Sequence, residues 1–221
     1  MKKRLLFVQF GDFREAFERF AGGGPETYRD QEKSVGYVSG LARENLVTTL
    51  CFGTDSYDSE IAPNLHARGV VRGAFDQNSV QDVMDELQPS HLVLRTPHIG
   101  FLSEAAKRNC HVLPTFADIM QRNGLRQAWR NRNLRHKISR IRAPCVSNHS
   151  LNASKSLVTV LGLSPSPVIP WDWSKVPIAG PLKPAPDNTA GPQIFFAGNL
   201  SEAKGVGDCI AAIAILHQQG H

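Results

Sequence analysis

Residues 91–116 read HLVLRTPHIGFLSEAAKRNCHVLPTF, which is the pattern of a strand, a helix and a second strand. The apolar runs at 91–95 and 110–116 predict the two strands. Between them, Leu102, Ala105 and Ala106 share one face of a helix. Strands that alternate with helices of this length predict a parallel sheet with helices on both faces.

The same alternation extends along the chain in both directions. Residues 5–10 (LLFVQF) are a continuous apolar run, which is typical of a strand buried on both faces. Helices are predicted at 27–44, 80–87 and 150–161, and further strands at 46–52, 144–147 and 168–170. The predicted fold class is therefore α/β.

The composition excludes several classes of protein. The chain has 221 residues, of which 41% are hydrophobic and 20% charged, so a disordered chain and a small disulfide scaffold are excluded. No apolar run reaches the roughly 18 residues of a membrane span. The cysteines show no metal-ligand spacing, so we expect reduced thiols, no metal site and a cytoplasmic protein.

The character of the sequence changes at 174–192. Prolines and glycines are mixed there without a helical or strand period, so this stretch is predicted to be an interdomain linker. Residues 1–173 then form the first domain, and 193–221 supply one strand and one helix. Because one strand and one helix cannot bury their own apolar faces, we expect 193–221 to be the start of a truncated second domain.

The net charge of +5 is concentrated in one segment. Between Ile119 and Trp171 the chain has nine basic residues and no acidic one, so the rest of the chain sums to −4. The nine are Arg122, Arg126, Arg130, Arg132, Arg135, Lys137, Arg140, Arg142 and Lys155. The stretch from Arg122 to Arg142 suits an anionic membrane surface, whereas a solvated basic face is the simpler interpretation. Nucleic acid is not expected, since no aromatic-interleaved sheet motif accompanies the charge.

The same segment carries two apolar sets on nearly opposite faces of a helical wheel. One set is Leu125, Ala128 and Trp129, and the other is Leu134, Ile138 and Ile141. A single straight helix would not bury both sets, so the pattern predicts a bend or break near 131–133.

Candidate site residues follow the predicted strands, because ligands of open parallel sheets bind at the carboxyl ends of the strands. Arg95 ends one strand and His98 follows it, and the two could hold an anionic or hydroxyl-rich ligand, although His98 could simply cap the next helix. Asp118 follows the next strand as a candidate base or sugar-hydroxyl acceptor, with a solvated aspartate as the alternative. Asn148 follows a third strand, where helix capping is the alternative.

Two further segments suit phosphate groups. Gly22, Gly23 and Gly24 precede the helix predicted at 27–44, and a glycine triplet that opens a helix offers backbone N–H groups to a phosphate. The alternative is a flexible turn, and no G-x-G-x-x-G dinucleotide motif is present. Residues 195–206 (FFAGNLSEAKGV) place Lys204 beside a helix start, where it suits a diphosphate.

With these motifs the chain resembles the retaining glycosyltransferases of family 4, which have the GT-B fold of two Rossmann-like domains. The strongest similarity is 195–215, which looks like the opening of the family's donor-binding domain. It extends to 143–173, where Val168-Ile169-Pro170-Trp171-Asp172-Trp173 matches a "VIPNGVD"-like segment. The glycine triplet resembles the family's diphosphate loop. The resemblance implies that 1–173 is a Rossmann-like, acceptor-side domain.

The resemblance also implies roles for individual residues. Lys204 would bind the donor diphosphate together with Gly22, Gly23 and Gly24, and Asn199 stands where the family has an arginine. Asp118 and His98 are the implied catalytic candidates, and Arg95 and Asn148 are the implied acceptor-side residues. Ala117 aligns with the family's usual histidine. The family's pair of donor-side glutamates would lie beyond His221.

The implied reaction is transfer of a sugar from a nucleotide-diphosphate sugar to an acceptor hydroxyl with retention of configuration, without a required cofactor. The acceptor would be a glycan, a lipid or a small molecule. We expect the 221-residue chain alone to be inactive. The alternative is a non-catalytic α/β binding module, associated with a membrane through its basic helix. The expected location is cytoplasmic, including the periphery of the inner membrane.

Overall fold

The computed structural model describes residues 2–28, 30–71, 76–170, 202 and 205–220. The strands are β1 (Arg4–Phe10), β2 (Leu46–Phe52), β3 (Tyr57–Ala62), β4 (Leu65–Val70), β5 (His91–Leu94), β6 (His111–Phe116), β7 (Val146–Asn148) and β8 (Val168–Pro170). The helices are α1 (Phe13–Ala21), α2 (Gln31–Leu41), α3 (Gln77–Leu87), α4 (Ile99–Lys107), α5 (Gly124–Ile138), α6 (Leu151–Thr159) and α7 (Val206–Gln218).

The strands form one eight-stranded sheet in the order β3-β4-β2-β1-β5-β6-β7-β8. All neighbours pair in parallel except the hairpin β3–β4. The register places Val8 opposite Leu50 on one side and Leu94 on the other. The predicted α/β fold with a mostly parallel sheet is confirmed, and the architecture is compatible with a Rossmann-like fold.

The sheet buries alternate residues on its two faces, as pleated strands must. On one face, Leu6, Val8 and Leu92 pack with residues of α3, α4, α5 and α6. On the other face, Phe7 and Val47 pack with α1 and α2. Each face therefore has its own apolar core, and the domain is a three-layer arrangement of helices, sheet and helices.

The sequence did not predict α1 or the hairpin β3–β4. The β3 strand reads YDSEIA, and its charged residues Asp58 and Glu60 give it little apolar pattern. It lies at the edge of the sheet, where a strand can be polar because one side faces no neighbour. Helix α1 lies within a stretch rich in charge, and only Phe13 and Ala16 of it are buried.

Helix α5 is unbroken across 131–133, so the predicted bend is wrong. Leu134 and Ile138 enter the core, whereas Leu125 and Trp129 remain 92% and 67% exposed. The prediction assumed that both apolar sets are buried, but the helix buries only one of them. Asn131 lies on the buried face and donates from Nδ2 to the Gln121 carbonyl oxygen at 2.8 Å.

The chain divides into two compact units, Met1–Pro177 and Ile178–His221. Both apolar cores lie in the first unit. The second unit contains α7, which covers most of the helix that the apolar spacing indicates after residue 201. The predicted linker at 174–192 lies outside the described residues, as does the strand predicted at the start of 193–221. Among the described helices, none is long and apolar enough to cross a bilayer.

Candidate functional site

The carboxyl ends of β1 and β5 form the crevice at which a ligand of an open parallel sheet is expected. β1 pairs with β2 on one side and with β5 on the other, and the chain changes its winding direction between them. Such a point leaves a crevice outside the strand ends, because the connections on either side run away from it on opposite faces. The backbone N–H of Arg95 donates to the Val8 carbonyl oxygen at 2.9 Å, which places Arg95 beside β1.

The side chains of Arg95 and Gln9 bridge this crevice. Arg95 Nη1 donates to Gln9 Oε1 at 3.0 Å, and Gln9 Nε2 lies 3.9 Å from Cys51 Sγ. Burial lowers the pKa of Arg95, because the guanidinium has lost much of its water. A guanidinium at this position is suited to an anionic ligand, because its planar group can pair with a carboxylate or a phosphate. Gln9 was not predicted, although a polar residue inside the apolar run LLFVQF was the available signal.

Three side chains join the β1–α1 loop to the hairpin. The Tyr57 hydroxyl donates to Asp12 Oδ1 at 2.7 Å, and the Arg14 guanidinium lies 3.8 Å from the centre of the Tyr57 ring. Asp12 also caps α1 by accepting from the backbone N–H of Glu15 at 3.1 Å. Burial, followed by the hydrogen bond to Asp12, raises the pKa of Tyr57, so the phenol is protonated at neutral pH. The loop beside the crevice is therefore held in one position.

His98 lies at the N-cap of α4, but its side chain makes no capping hydrogen bond. Its ring stacks on Phe52 at 5.8 Å and meets the edge of Phe101 at 5.2 Å. Burial lowers the pKa of His98, because the charged form would lose solvation among these rings. The imidazole is therefore neutral at pH 7, and its catalytic role stays a prediction.

The structure brings Asp118 and Asn148 together, but the contact is between the Asn148 side chain and the backbone of Asp118. The fully buried Asn148 donates from Nδ2 to the carbonyl oxygens of Asp118 (2.8 Å) and Ala153 (3.2 Å). Its Oδ1 accepts from the backbone N–H of His149 at 2.9 Å. Asn148 thus positions the loops after β6 and β7, and an acceptor contact through it stays a prediction. The Asp118 carboxylate is exposed and has no hydrogen bond or ion pair within the described chain.

The glycine triplet does not open a helix, so the expected geometry of a phosphate-binding turn is wrong. Gly22 is the C-cap of α1. The backbone N–H groups of Gly22, Gly23 and Gly24 donate to the carbonyl oxygens of Glu18, Phe20 and Arg19, respectively. These donors are used within the helix end, and a helix C-terminus carries negative partial charge, which repels a phosphate. The sequence analysis placed these glycines before the helix that became α2, but it did not predict α1, the helix that they terminate.

The other two predicted donor-binding residues, Asn199 and Lys204, lie outside the described residues. Gly205, which follows Lys204, has a φ of +71° and is the N-cap of α7. A left-handed backbone at this position favours glycine. The predicted helix after Lys204 is thus present, while the donor-binding roles of Asn199 and Lys204 stay predictions.

A cavity of about 720 Å³ lies on the α2 side of β5 and β6. Arg95 and Thr115 line its end near the crevice, and the stacked rings of His91 and His111 line the other end. The Thr115 hydroxyl is buried and has no hydrogen-bond partner in the described part of the chain. A buried hydroxyl without a partner is costly, so the cavity end offers a hydrogen bond to a ligand group beside Arg95.

The described residues contain no group of three or more His, Cys, Asp or Glu side chains placed to hold a metal ion. A scan against protein-family models and a search of curated proteins both find no match to this chain. The function is therefore inferred from the geometry at the carboxyl ends of the strands.

Proposed function

We propose that this chain provides the acceptor-side half of a glycosyltransferase that transfers a sugar from a nucleotide-diphosphate sugar to a hydroxyl group. The observation that carries the proposal is the Arg95 guanidinium, which Gln9 holds in the crevice between β1 and β5. A fixed, poorly solvated guanidinium is suited to a carboxylate or phosphate. The acceptor is therefore a hydroxylated molecule that also carries an acidic group.

In this proposal, some residues near the crevice bind the acceptor and another accepts its proton. Arg95 binds the acidic group of the acceptor, and the Thr115 hydroxyl adds a hydrogen bond at the same end of the cavity. The neutral His98 imidazole can accept the proton of the attacking hydroxyl. Asp118 accepts hydrogen bonds from sugar hydroxyls. The donor is a separate part of the proposal: Lys204 binds the donor diphosphate, and no metal is required.

The second candidate is a non-catalytic binding module for the same class of acidic, hydroxylated ligand. The packing of the His98 ring against Phe52 and Phe101 favours it, because a ring held by aromatic neighbours needs no catalytic role to explain its position. The Asp118 carboxylate also has no described partner that orients it. Binding without transfer is the expected behaviour of such a module.

The binding step is tested by NMR titration of the isotopically labelled chain with glucuronate and, as the matched neutral sugar, glucose. We expect glucuronate to shift the resonances of Gln9, Arg95 and Thr115, and glucose to shift them much less. Arg95→Gln should remove the preference for the acid. Equal responses to the two sugars, unchanged by Arg95→Gln, would contradict the proposed acceptor site.

The transfer step is tested separately with nucleotide-diphosphate sugars. The 221-residue chain alone should show no transfer, whereas the chain supplied with a complete donor-binding domain should consume the donor and give a product of retained anomeric configuration. Glucuronate binding without transfer in that pairing would favour the binding module over the enzyme.

A further inference from the structure

Helix α5 presents two large apolar side chains to solvent on the side opposite to its core contacts. Asn131, Leu134 and Ile138 form its buried face. Leu125 and Trp129 lie one turn apart, on the far side of the helix by the 100° rotation per residue, and they are 92% and 67% exposed. A helix that needed only its core contacts would have polar residues at both positions.

Basic residues flank these two side chains on both sides. Arg126 and Arg130 lie on one flank by helical rotation, and Arg132 and Arg135 lie on the other. Trp129 lines a shallow depression together with Arg132, Asn133 and His136. The outer face of α5 is therefore a short apolar strip of Leu125 and Trp129 between two rows of guanidinium groups.

None of the arginines of α5 forms an ion pair with a carboxylate of the described residues. Elsewhere in the described chain, Arg19, Arg68 and Arg108 each pair with a nearby carboxylate. The difference follows from the sequence, which has no acidic residue between Ile119 and Trp171. The positive charge of α5 is thus available to an external anion.

We propose that α5 binds the surface of an anionic lipid bilayer, with Leu125 and Trp129 inserted at the level of the headgroups. The flanking guanidinium groups would lie on the lipid phosphates. Tryptophan favours the membrane interface because its ring is amphipathic, and basic side chains are attracted to anionic headgroups. The exposure of Leu125 and Trp129 makes them the side chains that would enter the bilayer, which the charge alone did not indicate.

A nucleic acid fits this face less well. A phosphate backbone would satisfy the arginines but would leave Leu125 without an apolar environment. The net charge of −4 on the rest of the chain also opposes a second contact with a polyanion. The bilayer accounts for both the apolar strip and the charge, and it does so independently of the proposed sugar transfer.

The experiment uses the full chain with Trp171→Phe and Trp173→Phe, which leaves Trp129 as the single tryptophan. Vesicles of phosphatidylglycerol and phosphatidylcholine should bind this protein in co-sedimentation, and vesicles of phosphatidylcholine alone should bind it at least about tenfold more weakly. Trp129 fluorescence should shift to the blue on binding and should be quenched by brominated acyl chains. Binding that leaves the fluorescence unchanged would overturn the insertion.

Two pairs of variants separate the apolar strip from the charge. Leu125→Ser with Trp129→Ser should weaken vesicle binding by about tenfold or more, whereas Leu151→Ser, at an exposed leucine of α6, should not. Arg126→Gln with Arg130→Gln should weaken vesicle binding by about fivefold per charge removed. The control is replacement of the exposed Lys3 and Arg43 by glutamine, which should weaken vesicle binding much less. Equal losses in the test and control variants would overturn the proposal.

A labelled single-stranded oligonucleotide provides the competing outcome. We expect its binding to be weaker than vesicle binding at physiological salt and unaffected by Leu125→Ser. Tight oligonucleotide binding together with no partition into anionic vesicles would overturn the bilayer proposal. No sugar donor enters these measurements, so their result is separate from that of the transfer assays.

Discussion

At the scale of single residues, the polar pair of Gln9 and Arg95 organises the crevice at the carboxyl ends of β1 and β5. Gln9 is buried within β1, and its Oε1 accepts from Arg95. A glutamine inside a buried strand is explained by this contact, since a buried polar group must find a partner. The pair holds the guanidinium at the position where a ligand would meet it.

Replacing Gln9→Leu should lower the free energy of unfolding by about 1–3 kcal/mol, because the half-buried Arg95 guanidinium loses one acceptor. Urea denaturation measures this value. In a double-mutant cycle with Arg95→Met, the loss should be much smaller, since the apolar side chain needs no acceptor. Strictly additive effects of the two substitutions would show that the pair is not coupled.

Glu104 is a second buried polar residue, and it joins α3 to α4. It is 1% exposed, and its carboxylate accepts from Lys107 (2.7 Å) and also from Arg108, which pairs with Asp85 of α3. Burial raises the pKa of Glu104, but the hydrogen bonds from Lys107 and Arg108 outweigh this effect and hold the pKa below its ordinary 4.5. The carboxylate is therefore charged in the folded protein at neutral pH.

Glu104→Gln should lower the free energy of unfolding at neutral pH by about 1–3 kcal/mol. Because the folded pKa lies below the unfolded one, this contribution is present above pH 4.5 and is lost as the pH falls through the folded value. The variant should therefore converge with the wild type in acid unfolding curves. Glu44→Gln, at an exposed position, is the control and should change neither curve.

His98 should make the fold sensitive to acid. Its folded pKa lies below the ordinary 6.5, so the unfolded chain takes up the proton first and stability falls as the pH drops below that value. His98→Phe keeps a ring between Phe52 and Phe101 without this titration. The difference in unfolding free energy between about pH 8 and about pH 5 should be smaller in this variant than in the wild type. The control is His217→Gln, at an exposed position, which should leave the difference unchanged. An unchanged difference would place the acid sensitivity elsewhere.

At the scale of elements, the hairpin β3–β4 depends on a glycine. Gly69 lies opposite Tyr57 in the antiparallel pair. A Cβ at this position would overlap the Tyr57 ring and the Asp55 carbonyl oxygen. The ring can approach the backbone, and its hydroxyl can reach Asp12, because no side chain occupies this space.

Gly69→Ala should therefore destabilise the protein by about 1–3 kcal/mol, since the Asp55 backbone must shift to admit the methyl group. The matched control is Gly36→Ala in α2, where a Cβ would meet nothing within 4 Å. That change should stabilise the protein by about 0.5–1 kcal/mol through helix propensity. Thermal unfolding of both variants measures the two effects, and equal signs would contradict the packing at Gly69.

The elements also show which patterns in the sequence were reliable. The runs that became β1, β2, β5 and β6 were predicted within one or two residues, because strands buried on both faces must be continuously apolar. The edge strand β3 was missed because none of its residues is fully buried, so its sequence has no apolar run. The bend in α5 was predicted wrongly, because apolar residues were assumed to be buried.

At the scale of the whole molecule, both apolar cores lie within the unit Met1–Pro177. A chain of residues 1–177 should therefore fold alone and unfold in one cooperative transition in urea, as single domains of this size usually do. Coincident transitions by circular dichroism and by tryptophan fluorescence are the expected result. Two separated transitions would show that the faces of the sheet unfold independently.

At the candidate site too, features set by neighbouring residues in the sequence were predicted, and contacts between distant residues were not. Arg95 was predicted from its place after a strand, and the structure puts it at the crevice. Its partner Gln9 was not predicted, because 86 residues separate the two side chains. The glycine triplet was placed at a helix start, but it ends α1, whose helical spacing of Phe13, Ala16 and Phe17 was overlooked.

By itself, the sequence determined the class of the fold, the positions of the buried strands along the chain and the concentration of basic charge after Ile119. These properties follow from local patterns, because apolar runs and charges are readable without knowing their neighbours. Only the tertiary structure decided that Gln9 holds Arg95 and that Asn148 forms its hydrogen bonds with the loops after β6 and β7. It also decided that Leu125 and Trp129 face outward. Each of these depends on which residues, distant in the sequence, the sheet and its helices bring into contact. A pattern of neighbouring residues in the sequence does not give these contacts.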